Sequence, residues 1–164
     1  MTESAVLVRV AESAVAGAGK TLTTVGLGSC VAVLLHDPRA RVGGMAHVLL
    51  PEPFAGQHER NRNPSKFATT AVPLLAERMC AAGASLRGLE ARLVGGASMF
   101  AALMNASTLN MGERNIAASR EVLARLGIPI RAEHVGGDFG RSVRFEPADG
   151  RVVVSTVGRG EHVL

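Results

Sequence analysis

The chain has 164 residues, of which 47% are hydrophobic and 20% charged, a composition typical of one globular domain over residues 1–164 and not of a disordered chain. Its formal charge of +4 comes mainly from arginines spread along the chain, without the basic runs interleaved with aromatic residues that would predict a nucleic-acid partner. No signal-peptide pattern and no apolar run of about 20 residues is found, so we expect a cytoplasmic protein that is not membrane-inserted and whose two cysteines are unbridged.

The first third of the chain is predicted to be β-structure. Apolar or β-branched runs of strand length lie at residues 5–10, 21–25, 31–35 and 45–50. The third of these is continuously apolar, which is typical of a strand buried on both faces. Residues 51–64 are rich in proline, asparagine and charge, and this composition predicts a loop.

A first helix is predicted over residues 67–82 from its apolar spacing. Pro73 fits this helix if Thr70 caps it, because proline is tolerated in the first turn. The same spacing places Cys80 on the buried face, and we therefore expect Cys80 to be a core residue.

The second half alternates strands and helices. A strand is predicted at 92–94, a short helix at 98–105, and a clearer helix at 111–126. For the latter, Asn110 and Glu113 form a capping-box pattern, and Gly127 provides the stop.

Three more strands are predicted at 130–135, 142–145 and 151–156, the last two joined by a turn at 147–150. This order of elements predicts an α/β sandwich with mixed sheets.

The segment Gly26-Leu27-Gly28-Ser29-Cys30 has the features of a nucleophile turn. Glycines adopt backbone conformations that other residues resist, and they leave N–H groups free to face a developing oxyanion. We therefore take the backbone around Gly28 and Ser29 as the candidate oxyanion site. A thiol needs a base or a positive field to act as a nucleophile at neutral pH.

A hairpin supplies the candidate base. If Asp37 faces Ala40 across a turn, counting outward from that pair brings Cys30 directly opposite His47. A one-residue slip would put the two side chains on opposite faces, and the glycines at 43–44 could hold a bulge that shifts the register.

Thr24 precedes the glycine turn, and its hydroxyl could orient the His47 ring. An ordinary strand threonine would have the same spacing, so this role is left open. We expect His36 at the surface, and no metal-ligand spacing joins the remaining histidines, His58, His134 and His162. No metal and no other cofactor is expected.

Together these residues closely resemble the chemoreceptor glutamine deamidase family, CheD. The matching stretches run in order along almost the whole chain, at 22–33, 43–47, 50–51, 94–97, 99–100, 112–115, 135–137 and 140–141.

The resemblance implies hydrolysis of glutamine side chains on methyl-accepting chemotaxis receptors to glutamate and ammonia. It places the family's nucleophile on Cys30, its histidine on His47 and its threonine on Thr24. It also implies a layered α/β/β sandwich similar to the catalytic domain of cytotoxic necrotizing factor toxins. In some bacteria such proteins also bind the phosphatase CheC, which is therefore a possible partner besides the receptors.

Two alternatives remain open from the sequence. One is a non-catalytic adaptor that binds receptors or CheC without turnover. The other is a thiol enzyme of another class, such as a protease or a transglutaminase.

Overall fold

The computed structural model describes residues 4–54, 63–99 and 110–164. It contains ten strands and two α-helices within these ranges: β1 Ser4–Leu7, β2 Ser13–Gly17, β3 Lys20–Leu27, β4 Val31–Asp37, β5 Val42–Val48, α1 Ala68–Ala81, β6 Glu90–Gly95, α2 Met111–Leu126, β7 Ile130–Val135, β8 Arg141–Glu146, β9 Arg151–Thr156 and β10 Gly160–Val163. No helix among them is long and apolar enough to cross a bilayer.

The strands form two five-stranded sheets. The sheet we call outer has the order β1-β3-β8-β9-β10, and the sheet we call central has the order β2-β5-β4-β6-β7. β1 is parallel to β3 and β6 is parallel to β7, whereas all other neighbours are antiparallel. The predicted mixed sheets are therefore confirmed.

The central sheet lies between two hydrophobic cores. On one side α1 and α2 pack against it, and on the other it faces the outer sheet. β4 and β5 are buried along their whole length, as expected for strands covered on both faces. The layers are thus helices, central sheet and outer sheet, in agreement with the predicted α/β/β order.

Two strands were not predicted, and two predicted segments lie mostly outside the described residues. β2 is rich in small residues, and β10 is polar and exposed along its length, so neither has the alternation of a half-buried strand. Most of the predicted loop at 51–64 and most of the predicted helix at 98–105 belong to the residues that are not described.

The start of α1 differs from the prediction. Phe67, not Thr70, is the N-cap, and Pro73 lies inside the helix. The Thr70 hydroxyl instead donates to the Pro64 carbonyl at 2.6 Å, so it holds the preceding turn. Cys80 is exposed, which corrects its predicted place in the core.

Helix α2 spans the predicted residues. Asn110 is its N-cap, but only through its backbone, whose carbonyl accepts from the Arg114 N–H at 2.7 Å. The predicted capping box with Glu113 is not formed by the Asn110 side chain. Gly127 ends the helix in the left-handed conformation, as predicted.

The register of the β4–β5 hairpin is two residues away from the predicted one. Asp37 pairs with Val42, and Ala32 pairs with His47. Arg41 adopts φ 54° and its N–H donates to the Asp37 carbonyl at 2.9 Å, so the turn holds two more residues than predicted.

The two glycines of β5 do not form a bulge, because the β4–β5 pairing runs without a shift. A Cβ on Gly43 would lie 2.6 Å from the Phe145 ring, and a Cβ on Gly44 would lie 2.9 Å from Leu75. Because these glycines have no side chain, the neighbouring layers can pack closely against both faces of β5.

Candidate active site

The turn that carries Cys30 connects the outer sheet to the central sheet. Gly26 has φ +70°, the left-handed region that favours glycine, and the pairing of β3 with β8 shifts between Thr24 and Leu27. Cys30 stands one residue before β4, with its side chain in the core between the sheets. The glycine turn thus delivers the sulfur to the interior, as the sequence predicted.

The carbonyl groups of this turn are held by neighbouring backbone and side-chain donors. Ala97 N–H donates to the Gly28 carbonyl and Gly96 N–H to the Cys30 carbonyl, both at 2.8 Å. The Ser29 carbonyl accepts from the Asn115 amide at 2.9 Å. In a trans peptide the next N–H points opposite to the carbonyl, so the N–H groups of Ser29 and Cys30 face away from these donors.

The glycines at the end of β6 serve close packing behind the turn. A Cβ on Gly95 would lie 2.3 Å from the Cys30 carbonyl oxygen, and one on Gly96 would lie 2.4 Å from Ile116. A Cβ on Gly112, at the start of α2, would lie 2.5 Å from the Gly96 carbonyl oxygen. These glycines therefore allow the end of β6 to pack closely on the turn and on α2.

Cys30 and His47 lie on the same face of the central sheet but are not directly opposite. His47 faces Ala32, and Cys30 comes two residues earlier. A slip of two residues preserves the face because side chains alternate with period two. Diagonal neighbours of this kind are about 7–8 Å apart, within reach of long side chains.

The His47 ring is held by Thr24 in one tautomer. Thr24 Oγ1 lies 2.6 Å from the Val8 carbonyl oxygen and 2.7 Å from His47 Nδ1. A hydroxyl has one proton, and a carbonyl can only accept, so Thr24 donates to Val8 and accepts from the N–H at Nδ1. Nε2 then carries the lone pair of a base, and it has no hydrogen-bond partner among the described residues.

Burial makes the uncharged forms of Cys30 and His47 the stable ones. It raises the pKa of the Cys30 thiol, opposed by the residue's own backbone N–H. It lowers the pKa of His47, opposed by the Val8 carbonyl. At neutral pH the resting site therefore holds a thiol and a neutral imidazole, not an ion pair.

Asn115 joins the two halves of this site, a role that was not predicted from the sequence. Its side-chain amide donates to the Ser29 carbonyl at 2.9 Å and to the Leu49 carbonyl at 3.0 Å. It thus joins the residue before Cys30 to the strand segment after His47. Its Oδ1 is buried without a hydrogen-bond partner among the described residues.

The other histidines have different surroundings from those expected. His36 is buried, not at the surface, and its Nε2 donates to the Pro147 carbonyl at 2.9 Å. His134 lies on β7 and His162 on β10, whereas His58 is outside the described residues. The described part of the chain has no group of three or more histidine, cysteine or acidic residues placed to hold a metal.

Comparison with known proteins gives the family. Residues 49–156 match the family model described as CheD chemotactic sensory transduction. This segment begins after His47, so the match does not depend on Cys30, His47 or Thr24.

Full-length relatives extend the match over the rest of the chain. The chain is 45% identical over 159 residues to a probable chemoreceptor glutamine deamidase CheD of Caldanaerobacter subterraneus subsp. tengcongensis, covering 96% of this chain and 97% of that protein. It is 43% identical over 141 residues to the chemoreceptor glutamine deamidase CheD of Halalkalibacterium halodurans, covering 86% of each.

Among solved structures, the Bacillus licheniformis hypothetical protein YfiH matches with a TM-score of 0.45 and 14% identity, over 74% of this chain and 49% of that one. The family model and the full-length relatives agree, and this chain belongs to the CheD family.

Proposed function

We propose that this chain is a chemoreceptor glutamine deamidase in which Cys30 is the nucleophile, His47 the general base and Thr24 the residue that orients His47. The proposal is supported above all by the Thr24 hydroxyl, which accepts from Nδ1 at 2.7 Å and leaves Nε2 as a free base. The lone pair at Nε2 is what a general base needs to take up a proton.

The reaction begins with a proton transfer. Because both groups rest uncharged, the Cys30 proton passes to His47 Nε2 as the sulfur attacks the carbonyl carbon of the glutamine side chain. His47 then gives this proton to the departing nitrogen, which leaves as ammonia. The product of this half-reaction is a thioester between Cys30 and the former glutamine side chain.

The second half-reaction restores the enzyme. His47 Nε2 takes a proton from water, the resulting hydroxide attacks the thioester carbon, and the sulfur leaves and recovers the proton. The receptor now carries a glutamate. No redox change and no cofactor is needed for this balance.

The turn before the nucleophile is suited to stabilising the negative oxygen of both tetrahedral intermediates. Its carbonyls are bound by Gly96, Ala97 and Asn115, which turns the N–H groups of Ser29 and Cys30 the other way. Fixed N–H donors stabilise a developing oxyanion because they need no reorganisation during the reaction.

The experiment is incubation of the purified chain with a receptor cytoplasmic fragment, followed by ammonia measurement and peptide mass spectrometry. We expect ammonia release and a mass change from amide to carboxyl at glutamine, with the fragment uncleaved. Cleavage would indicate a protease, and crosslinking to an amine would indicate a transglutaminase. Binding without ammonia release would support the adaptor alternative.

Three further predictions remain part of this proposal. The cytoplasmic location rests on the lack of a signal-peptide pattern in the sequence. The interaction with the phosphatase CheC and the likeness to the catalytic domain of cytotoxic necrotizing factor toxins rest on the family resemblance. Each adds to the deamidase proposal, which does not depend on any of them.

A further inference from the structure

Arg141 is a buried cation near the nucleophile turn. It begins β8, is 4% exposed, and pairs with Leu27, the last residue of β3 before the turn that leads to Cys30. Its side chain lies on the same face of β8 as Val143, which packs in the core between the sheets. A guanidinium in such a place is stable only if its charge is compensated.

The partners of Arg141 within the described chain are neutral. Its Nε donates to His134 Nδ1 at 2.8 Å, and its Nη1 lies 3.4 Å from the Phe139 carbonyl oxygen. Its guanidinium also stacks 4.3 Å from the centre of the Phe139 ring. None of the ion pairs among the described residues includes Arg141.

The surroundings add positive potential. Arg159 stacks on the same Phe139 ring at 4.2 Å and pairs with the exposed Asp138 at 3.8 Å. Burial, followed by the charge of Arg141, lowers the pKa of His134, so His134 accepts from Arg141 as a neutral ring. Burial and the nearby Arg159 lower the pKa of Arg141 itself.

Arg141 lines two cavities: one of about 350 Å³ beside the nucleophile turn, which we call the Arg141 cavity, and one of about 330 Å³ that also contains His134 and Glu133. The Glu133 carboxylate is already paired with Arg120.

Gly26 and Met99 line the Arg141 cavity, and the Met99 sulfur would lie 3.1 Å from a Cβ placed on Gly28. Ser142 adds a hydroxyl, and Arg141 is the one charged residue among the described residues of the lining.

A second hydroxyl of the lining belongs to Ser155, which is hydrogen-bonded to an acidic residue of the neighbouring strand. Glu161 accepts from the Ser155 hydroxyl at 3.5 Å and is exposed on β10. It forms no ion pair with Arg141. The described lining of this cavity thus offers Arg141 and hydroxyl donors and contains no carboxylate.

The strand pairing in the central sheet gives the approximate distance between His134, the partner of Arg141, and the region of Cys30. His47, Ala32, Val94 and His134 are consecutive partners in one row across β5, β4, β6 and β7. Strands are about 4.8 Å apart, so His134 is roughly 10 Å from Ala32, close to Cys30. About three residues of extended chain, or about two helical turns, span this distance.

We propose that the Arg141 cavity binds an aspartate or glutamate side chain of the receptor segment that carries the target glutamine, about three extended residues or two helical turns away from it. This inference rests on the proposed deamidase function and specifies its substrate: an acidic flank is part of the recognised segment. A carboxylate suits the guanidinium because it accepts two parallel N–H bonds.

The test is a double-mutant cycle between enzyme and substrate. Receptor fragments are made with each acidic residue near the target glutamine replaced in turn by its amide, and kcat/KM is measured for the wild type and for Arg141→Gln. We expect one replacement to lower kcat/KM of the wild type by about 10- to 100-fold and to have little effect on Arg141→Gln. Arg141→Lys should recover part of the lost kcat/KM, because lysine keeps the positive charge but lacks the paired donors of the guanidinium.

Arg144→Gln is the matched control, since Arg144 lies on the outward face of the same strand and pairs with Glu146. It should behave as the wild type on every fragment. The proposal would be overturned if Arg141→Gln lowered kcat/KM by the same factor on all fragments. It would also be overturned if no replacement in the fragment lowered kcat/KM of the wild type.

A second measurement does not depend on turnover or on the folding of a variant. The Arg141 Nε–H signal is followed by NMR in the Cys30→Ala protein as glutarate is added, against sodium chloride at equal ionic strength. A saturable shift specific to glutarate is expected, and its absence would overturn the carboxylate site. If the wild type deamidates no fragment, the proposed function fails, and this titration still decides whether the cavity binds a carboxylate.

Discussion

The two ends of the β4–β5 hairpin each bury a histidine, and in each ring one nitrogen forms a hydrogen bond. At the turn end, His36 Nε2 donates to the Pro147 carbonyl at 2.9 Å. At the open end, His47 has its Nδ1 held by Thr24 while its Nε2 has no hydrogen-bond partner among the described residues. Burial is therefore shared, and the difference is that His47, unlike His36, has a fully buried ring nitrogen without a hydrogen-bond partner among the described residues.

The acidic residue at the turn end follows the same pattern. Asp37 accepts N–H bonds from Arg39 at 2.9 Å, Ala40 at 3.1 Å and Ser85 at 2.8 Å. Burial acts to raise the pKa of Asp37, but these donors outweigh it and hold the pKa below its usual value. The polar groups of the turn end are hydrogen-bonded, whereas the open end holds the unpartnered ring nitrogen that the proposed role of His47 as a base requires.

The largest expected effect comes from removing the free base. His47→Ala should lower kcat/KM for deamidation by at least about 10³-fold while the protein stays folded, because nucleophile and base act as a unit. Circular dichroism and the thermal midpoint report folding in the same samples. A loss of only a few-fold would give His47 a structural role.

His36→Ala is the matched control at the other end of the hairpin. It leaves the Pro147 carbonyl unpaired and should cost about 1–3 kcal/mol in the free energy of unfolding. Its activity per folded molecule should equal that of the wild type. If His36→Ala lost as much activity as His47→Ala, the contrast between the two ends would not hold.

Replacement of the orienting hydroxyl should have the next largest effect. Thr24→Val keeps the shape of the side chain but removes the acceptor for His47 Nδ1–H, and kcat should fall by about 10²-fold. Thr24→Ser keeps the hydroxyl and should keep most of the activity. Equal rates for the valine and serine variants would exclude tautomer control by Thr24.

The two ends should also respond differently to acid. The pKa of His47 is lowered, so its stabilising effect is complete above the unfolded value of about 6.5 and is lost as the pH falls through the folded value. Asp37 also has a lowered pKa, and its contribution to stability is complete above about pH 3.9, the pKa of an unfolded aspartate. This contribution is lost as the pH falls through the pKa of Asp37 in the folded protein.

The free energy of unfolding, measured with denaturant at different pH values, should therefore fall in two pH ranges. One range belongs to His47, and the other, more acidic one belongs to Asp37. Asp37→Asn should flatten the more acidic one and leave kcat/KM unchanged at neutral pH. The acid limb of kcat/KM should lie below pH 6.5, about the ordinary value for histidine, since His47 stays neutral to lower pH. An acid limb above that value would contradict the assignment.

The smallest expected effect on activity comes from replacing Asn115, whose side-chain amide joins the two halves of the site. Asn115→Ala frees the Ser29 and Leu49 carbonyls, and the loss should cost about 1–3 kcal/mol in stability for each buried carbonyl left unpaired. We expect kcat to fall by about 10-fold through looser placement of Cys30. An unchanged kcat in a destabilised protein would make Asn115 purely structural.

The features that were predicted correctly from the sequence depend on local residue patterns and on the order of elements along the chain. The apolar run at β4, the left-handed stop at Gly127 and the mixed sheets all follow from short-range rules. The glycine turn that carries Cys30 into the core was found in the same way.

What the sequence did not reveal depends on contacts between distant segments. The β4–β5 register shifted by two residues because Arg41 adopts a left-handed conformation that non-glycine residues rarely take. His36 is buried by the Pro147–Gly150 turn, where a Cβ on Gly150 would lie 2.7 Å from its ring. Asn115 acts across 86 residues on Ser29, and no local pattern indicates such a contact.

The most direct measurement is ammonia release by the Cys30→Ala protein acting on a receptor cytoplasmic fragment, beside Cys80→Ser as the control at the exposed cysteine. If the buried sulfur next to His47 is the nucleophile, the folded Cys30→Ala protein releases no ammonia above background, and Cys80→Ser releases it at the wild-type rate. Ammonia release by folded Cys30→Ala protein at the wild-type rate would contradict the account.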